Sequence, residues 1–212
     1  MNKICKQLYT NFPTSISLVC HSVNDEMQQI ANLNEKSPRA QEHRLGRYCA
    51  EQALKAIGIK CDEIKSSAQG YPIWPKGIVG SISHSKGLCL SAVAKSSDFQ
   101  AIGIDVERLN RMKEGSIQRI VHSEEKVAIG NDLKKATLLF SIKEAFYKAQ
   151  FPHYKTPLNF KDLAFEYDFS AQEAHLIWLS EKSPIPKIDY SDWRITYQVI
   201  ENNCFALCSK EQ

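Results

Sequence analysis

At 212 residues, 43% apolar and 24% charged, the chain can bury a full core and reads as soluble and globular. A net charge of +3 is too mild to argue for nucleic acid, although it suits an acidic partner. Seven cysteines, at 5, 20, 49, 61, 89, 204 and 208, are odd in number and hold no C-x-x-C pair, which fits neither a disulfide framework nor a zinc ribbon and points to reduced thiols. Met1-Asn2-Lys3-Ile4-Cys5-Lys6 lacks an apolar signal core, and no run approaches the ~18 apolar residues of a membrane span, so a cytoplasmic protein without membrane contact is expected.

In chain order, the signals up to about Leu33 are weak: a strand at Leu18-Val19-Cys20 and a short helix from Asp25 to Leu33. Ser37 as N-cap and Pro38 at the first helical position then predict a helix from Arg39 to Ile57, stopped at Gly58. Leu45, Cys49, Ala53 and Ile57, with Leu54 beside them, form its apolar stripe; Arg39, His43 and Arg47 form a polar stripe that, alone, reads as a solvated face. Gln69-Gly70-Tyr71-Pro72-Ile73-Trp74-Pro75 predicts an extended loop leading into a hairpin, Ile78–His84 and Leu88–Ala94. Ser81, Ser83 and Ser85 alternate with Ile82 and His84, and a lone histidine at a strand end is ordinarily structural.

Lys95–Gln100 reads as the connection between an N-terminal half, 1–97, and a C-terminal half, 98–212. The next strand alternates, with Ile102, Ile104 and Val106 on one face and Gly103, Asp105 and Glu107 on the other. Two carboxylates at i and i+2 repel each other, a cost met by a metal ion or a basic partner, and Gly103 leaves that face open to something bulky. Residues 108–119, with Arg108, Arg111, Lys113 and Arg119 against Glu114, read as a solvated loop. The strongest helix runs from about Asp132 to Gln150 and ends before Pro152, with Leu138, Ile142, Ala145 and Ala149 on its core face and Ser141, Glu144 and Lys148 on another stripe. Strands follow at 162–169, 174–179, 193–200 and 204–208, giving an α+β fold of antiparallel sheet beside helices.

Asp105, Glu107 and Glu144, joined by Lys148, suit a Mg²⁺ ion that holds a polyphosphate and completes its octahedron with substrate oxygens and water. Lys148 would neutralise phosphate charge, and Arg39 and Arg47 are candidates for a second anionic group. The chemistry is phosphoryl transfer. A Mg²⁺-dependent nuclease gathers the same groups, but the charge and the lack of a basic aromatic surface argue against nucleic acid. A non-catalytic binding module is the other alternative.

Gly103-Ile104-Asp105-Val106-Glu107 followed by Phe140-Ser141-Ile142-Lys143-Glu144-Ala145-Phe146-Tyr147-Lys148 resembles the paired signature of the 4′-phosphopantetheinyl transferases. Trp74-Pro75 with Gly80-Ser81-Ile82-Ser83-His84-Ser85 is similar to a third motif, and Arg39 with Gly46-Arg47 to a fourth, all in the family's order. The length resembles the monomeric enterobactin-synthetase and surfactin type. The resemblance implies a pseudo-twofold fold of two halves with coenzyme A in the cleft between them, Mg²⁺ on Asp105, Glu107 and Glu144, and transfer of phosphopantetheine to a serine of an acyl or peptidyl carrier protein with release of 3′,5′-ADP. It implies Glu144, or a water it orients, as general base and Lys148 as the cation on the pyrophosphate. Arg39, Arg47 and His84 would grip the 3′-phosphate with Ser83 nearby, and Lys143 would line the nucleotide site. Siderophore or other secondary-metabolite carriers follow by analogy of group. The chain departs from the family at the loop around Gly70, where a lysine is common; here Gln69 and Tyr71 flank the glycine, and Lys65 or Lys86 are candidate substitutes. The basic run 108–119 gains a second reading, as the surface that steers in an acidic carrier.

Overall fold

The computed structural model describes residues 3–8, 12–23 and 37–212; the helix expected over residues 25–33 lies outside them. A short helix, α1 (Lys3–Leu8), and a strand, β1 (Ser17–Ser22), precede the first long helix, α2 (Pro38–Ala56). Its start obeys the local chemistry: the Ser37 side chain accepts from Ala40 N at 3.2 Å, and Pro38 sits where its missing N–H costs nothing. The loop expected at 69–75 contains a two-stranded ribbon, β2 (Lys65–Ser66) with β3 (Pro72–Ile73), turned at Gly70 with φ +89°. The hairpin follows as β4 (Ile78–Ser85) and β5 (Leu88–Lys95).

The remaining elements are β6 (Phe99–Arg108), α3 (Glu114–Ile120), α4 (Lys126–Ile129), α5 (Leu133–Tyr154), β7 (Leu163–Asp168), β8 (Glu173–Leu179), β9 (Trp193–Ile200) and β10 (Asn203–Glu211). Two expectations are corrected here. The basic segment after Arg108 is not loop throughout, because Ile120 is buried and Ile117 packs with the cluster around Leu139 and Phe140, which supports the helix α3. The last long helix does not stop before Pro152. Pro152 withdraws one donor within the final turn, but the turn still closes, with Lys155 N donating to Phe151 O at 2.9 Å.

β1, β5 and β4 form an antiparallel three-stranded sheet, and β6, β10, β9, β8 and β7 an antiparallel five-stranded one. Alternation decides what each face meets. Leu90 and Ala92 of β5 join Ile102, Ile104 and Val106 of β6, Phe205 and Leu207 of β10, and Ile4 and Leu8 of α1 in a core shared by both sheets. The opposite face of β5, through Cys89 and Val93, packs on Leu45, Cys49, Ala50, Ala53 and Leu54 of α2. Cys204, Ala206 and Cys208 of β10 likewise turn to Ile142, Ala145, Phe146 and Ala149 of α5. Each half thus lays one long helix on one antiparallel sheet, and the free sheet faces close on each other, the α+β architecture expected from the sequence. Among the described residues the cysteines form no disulfide, and no helix is long and apolar enough to cross a membrane.

Candidate active site

β4 and β6 are edge strands of their sheets, and side chains join them. Ser83 Oγ donates to Asp105 Oδ1 at 2.8 Å and accepts from Val106 N at 3.3 Å, while Ser85 Oγ donates to Glu107 Oε2 at 2.7 Å. The alternation that sends Ile102, Ile104 and Val106 into the shared core turns Gly103, Asp105 and Glu107 the other way. What fills the space above Gly103 is α5 itself: a Cβ there would lie 1.9 Å from Ala145 O and 2.5 Å from Ala149 N. Helix main chain therefore rests on strand main chain, and this contact carries Glu144 and Lys148 to the acidic face of β6.

Lys148 Nζ donates to Asp105 Oδ1 at 2.7 Å, to Ser83 Oγ at 3.0 Å and to Ile104 O at 3.3 Å. Glu107 Oε1 is met by Arg111 Nε at 2.7 Å, and that guanidinium lies 4.8 Å from the centre of the Phe140 ring. Burial raises the Glu107 carboxyl above its ordinary range; the Ser85 hydroxyl draws it back, Asp105 raises it again, and Arg111 opposes both. Burial also raises Glu144, against the pull of Lys148, and the charges of Asp105 and Glu107 add to the rise. Negative charge is thus in excess here, and Asp105 Oδ2 is buried without a hydrogen-bond partner.

Among the described residues no three His, Cys, Asp or Glu side chains are already drawn together as around a bound ion. Asp105 Oδ1 is engaged by Lys148 and Ser83, and Glu107 by Ser85 and Arg111. The donor set nonetheless fits a hard divalent cation: the oxygens are carboxylates, one is an unpartnered buried acceptor, and two of the acids are held above their usual range by burial and mutual repulsion.

The other expected residues are distributed unevenly. Ser83 sits at the centre of the site, bonded to Asp105 and Lys148. His84 Nδ1 faces Glu42 Oε2 at 3.1 Å, and the second oxygen of Glu42 accepts from Gly87 N. Arg39 is exposed in the first turn of α2. Arg47 is buried, donating to Ser66 Oγ at 2.7 Å and Lys65 O at 3.3 Å, so its guanidinium braces the β2–β3 ribbon, and burial lowers its pKa.

Lys143 carries a structural part that the sequence did not announce. Its ammonium is fully buried and donates to Phe160 O at 2.6 Å, Glu125 Oε2 at 2.7 Å, Ile120 O at 2.9 Å and Leu163 O at 3.0 Å. One residue before Glu144 on a helix means about 100° of rotation, enough to turn it away from the acidic strand. Its ammonium ties α5 to the segments carrying Ile120, Glu125 and Phe160, while the residue also lines the smaller concavity beside Glu144.

Sequence reasoning missed Glu42, Tyr147 and the particular role of Arg111. Arg111 was legible as i+4 from Glu107, and Tyr147 as the neighbour of Lys148. Glu42 had no local signal, because its partners His84 and Gly87 are more than forty residues away.

Two concavities flank the acidic face. A cleft of about 340 Å³ between the halves is lined by Tyr71, Trp74, Ser81, Tyr147, Lys148 and Phe151. A smaller one, about 210 Å³, opens beside Lys143 and Glu144 between Tyr147, Phe146, Leu158, Phe160 and Leu163. Tyr147 belongs to both.

Two family models match the chain: the 4′-phosphopantetheinyl transferase N-terminal domain over residues 25–94, and the 4′-phosphopantetheinyl transferase superfamily over residues 101–198. The 4′-phosphopantetheinyl transferase Npt of Nocardia iowensis is 36% identical over 119 residues, which is 55% of this chain and 54% of that protein. Enterobactin synthase component D of Salmonella typhimurium is 32% identical over 117 residues, 52% of this chain and 48% of that protein. The chain therefore spans about half the length of the curated relatives it matches. Among solved structures, the holo-[acyl-carrier-protein] synthase of Thermotoga maritima aligns at TM-score 0.43 and 21% identity, over 54% of this chain and 64% of that one.

Proposed function

We propose, from the premise that this chain belongs to the 4′-phosphopantetheinyl transferase superfamily, that it moves the 4′-phosphopantetheine arm of coenzyme A onto a serine hydroxyl of an apo acyl or peptidyl carrier protein, with Mg²⁺ present, and releases 3′,5′-ADP. The observation that carries this reading is the close approach at Gly103, which sets Lys148 on Asp105 and brings Glu144 beside the Asp105–Glu107 pair.

Asp105, Glu107 and Glu144 are the proposed holders of the metal. When bound, the ion supplies positive charge to the coenzyme A pyrophosphate and lowers the repulsion among the three acids. The protein's own groups do the rest. Lys148, anchored between Asp105 and Ser83, presents an ammonium to the cleft between the halves, where it would offset charge on the departing nucleotide. Glu144 is the proposed base, directly or through a water. Its carboxylate is made more basic by burial and by Asp105 and Glu107, and a serine hydroxyl is a weak nucleophile until its proton is accepted. The serine oxygen bonds to the β-phosphorus, the bond from that phosphorus to the bridging pyrophosphate oxygen breaks, and the serine proton passes to Glu144.

Arg39 and His84 remain proposed contacts for the 3′-phosphate. Arg47 is proposed to act at one remove, by fixing the β2–β3 ribbon on the cleft wall. Lys143 is proposed to act chiefly as a support of α5, through its buried contacts to Glu125 and the neighbouring carbonyls. The exposed cations Arg108, Lys113 and Arg119 are proposed to steer an acidic carrier, and likeness to enterobactin synthase component D supports a carrier of siderophore or secondary-metabolite synthesis. A cytoplasmic monomer is the proposed working form.

The test is the mass of an apo carrier protein after incubation with this protein, coenzyme A and Mg²⁺, beside Asp105→Ala and Glu144→Ala. A gain of one phosphopantetheine, abolished in both variants, supports the reaction and its site. Coenzyme A binding without any gain on carriers of several classes would favour a binding module instead.

A further inference from the structure

Tyr71 and Phe151 of the cleft wall are met from outside by a second, exposed cation. Lys155 follows the last turn of α5 in a left-handed backbone conformation, φ +53° and ψ 19°, where glycine is the residue of least strain. From there its ammonium crosses to the opposite half, donating to the Tyr71 hydroxyl at 2.6 Å and lying 4.2 Å from the centre of the Tyr71 ring and 5.9 Å from that of Phe151.

The rings behind it are ordered. Tyr71 meets Phe151 edge-on at 6.1 Å, and Phe151 stacks on Tyr147 at 5.2 Å. Tyr71, Phe151, Tyr147 and Lys148 all line the cleft, and the Lys155 ammonium rests on the Tyr71 end of this row of rings. Tyr71 is itself placed from behind: Ser67 N donates to Tyr71 O at 2.8 Å, and the ribbon on which it turns is braced by buried Arg47.

The two cations named for this loop from the sequence stand elsewhere. Lys65 is exposed on β2, and Lys86 is exposed in the β4–β5 turn beside Gly87. A cleft with aromatic walls, one cation in its lining and a second on the Tyr71 ring at its rim matches a ligand that carries a planar ring together with separated anionic groups.

We propose that Lys155 is a ligand-binding residue that closes the outer end of this cleft on the anionic, nucleotide-bearing half of coenzyme A, with Tyr71 holding the ammonium in place. The assignment rests on the coenzyme A reading above. It makes the site a joint product of both halves: Tyr71 from the ribbon of the first, and Lys155 from just beyond the long helix of the second. The contact reads the nucleotide end only, and the transfer step beside Glu144 does not use it.

The test is calorimetric binding by the full chain of coenzyme A, adenosine 3′,5′-bisphosphate and 4′-phosphopantetheine. The proteins compared are the wild type, Lys155→Ala, Lys155→Arg, Tyr71→Phe and, as a surface control, Lys187→Ala. Lys155→Ala should weaken coenzyme A and the bisphosphate by about three- to tenfold, the size of one partly exposed charge contact. It should leave 4′-phosphopantetheine, which lacks the nucleotide, unchanged. Lys155→Arg and Lys187→Ala should bind as the wild type does, and Tyr71→Phe should show a smaller loss because the ring remains. Equal affinities for wild type and Lys155→Ala would overturn the proposal, as would an equal loss for 4′-phosphopantetheine. If the wild type itself bound neither coenzyme A nor the bisphosphate, the coenzyme A reading would fall first and this assignment with it.

Discussion

Replacing Gly103 by alanine tests the geometry on which the site depends. The added carbon would start 1.9 Å from Ala145 O and 2.5 Å from Ala149 N, and both obstacles are main chain that no rotamer change can move. Restoring an ordinary carbon–oxygen contact of about 3.3 Å requires helix and strand to part by roughly 1.4 Å. Overpacking typically costs about 1–3 kcal/mol, and a backbone obstacle places this case near 3. For a chain of this size that lowers the melting temperature by about 6–12 °C. The same separation pulls Lys148 from Asp105, now 2.7 Å away, so carrier loading should fall by about a hundredfold even where the variant is folded. Urea melts give the stability and initial rates of loading give the activity. Gly115→Ala is the control: nothing lies within 4 Å of a Cβ there, so stability should be unchanged or slightly raised. A Gly103→Ala protein within about 0.5 kcal/mol of wild type and fully active would refute the close-approach argument.

Lys143→Met should destabilise by about 3–5 kcal/mol, because it strands the buried Glu125 carboxylate. If enough protein folds to assay, the KM for coenzyme A should not move; a selective rise in that KM would return Lys143 to the ligand site. Glu107 and Glu144 both have folded pKa values above the ordinary 4.5, so the stability they contribute is complete below about pH 4.5 and is lost as pH rises through the raised values. Glu144→Gln should therefore make the metal-free protein more stable than wild type at pH 7, with the gap closing near pH 4.5, and Mg²⁺ should raise the wild-type melting temperature more than the variant's. A Glu144→Gln protein less stable than wild type in EDTA at pH 7 would contradict this. Lys113→Glu with Arg119→Glu should raise the KM for carrier protein at low salt and leave that for coenzyme A unchanged; an unaltered carrier KM would retire the steering role. Arg111 is unsuited to that test because it also holds Glu107.

Much was legible in the sequence because the signals were local. Period-two alternation at 102–107 and period-3.6 spacing at 138–149 depend only on backbone geometry, and they assigned the correct faces before any packing was known. Ser37 and Pro38 marked a helix start for the same reason. Pro152 misled because a proline in a last turn forfeits only one bond, which the surrounding packing can offset.

Three things were decided only by tertiary structure. The occupant of the space over Gly103 is a helix from elsewhere in the chain, and nothing in Gly103-Ile104-Asp105 names it. Lys143 and Lys148 lie on one helix and belong to one motif, yet one is fully buried against Glu125 while the other reaches Asp105, because rotation about the helix axis sends them into different surroundings. Tyr71 and Lys155 are 84 residues apart and meet because the two halves close on a shared core. The sequence by itself determined which residues each strand and helix presents; which of them meet follows from burying the remaining sheet faces against each other, a choice that no local window contains.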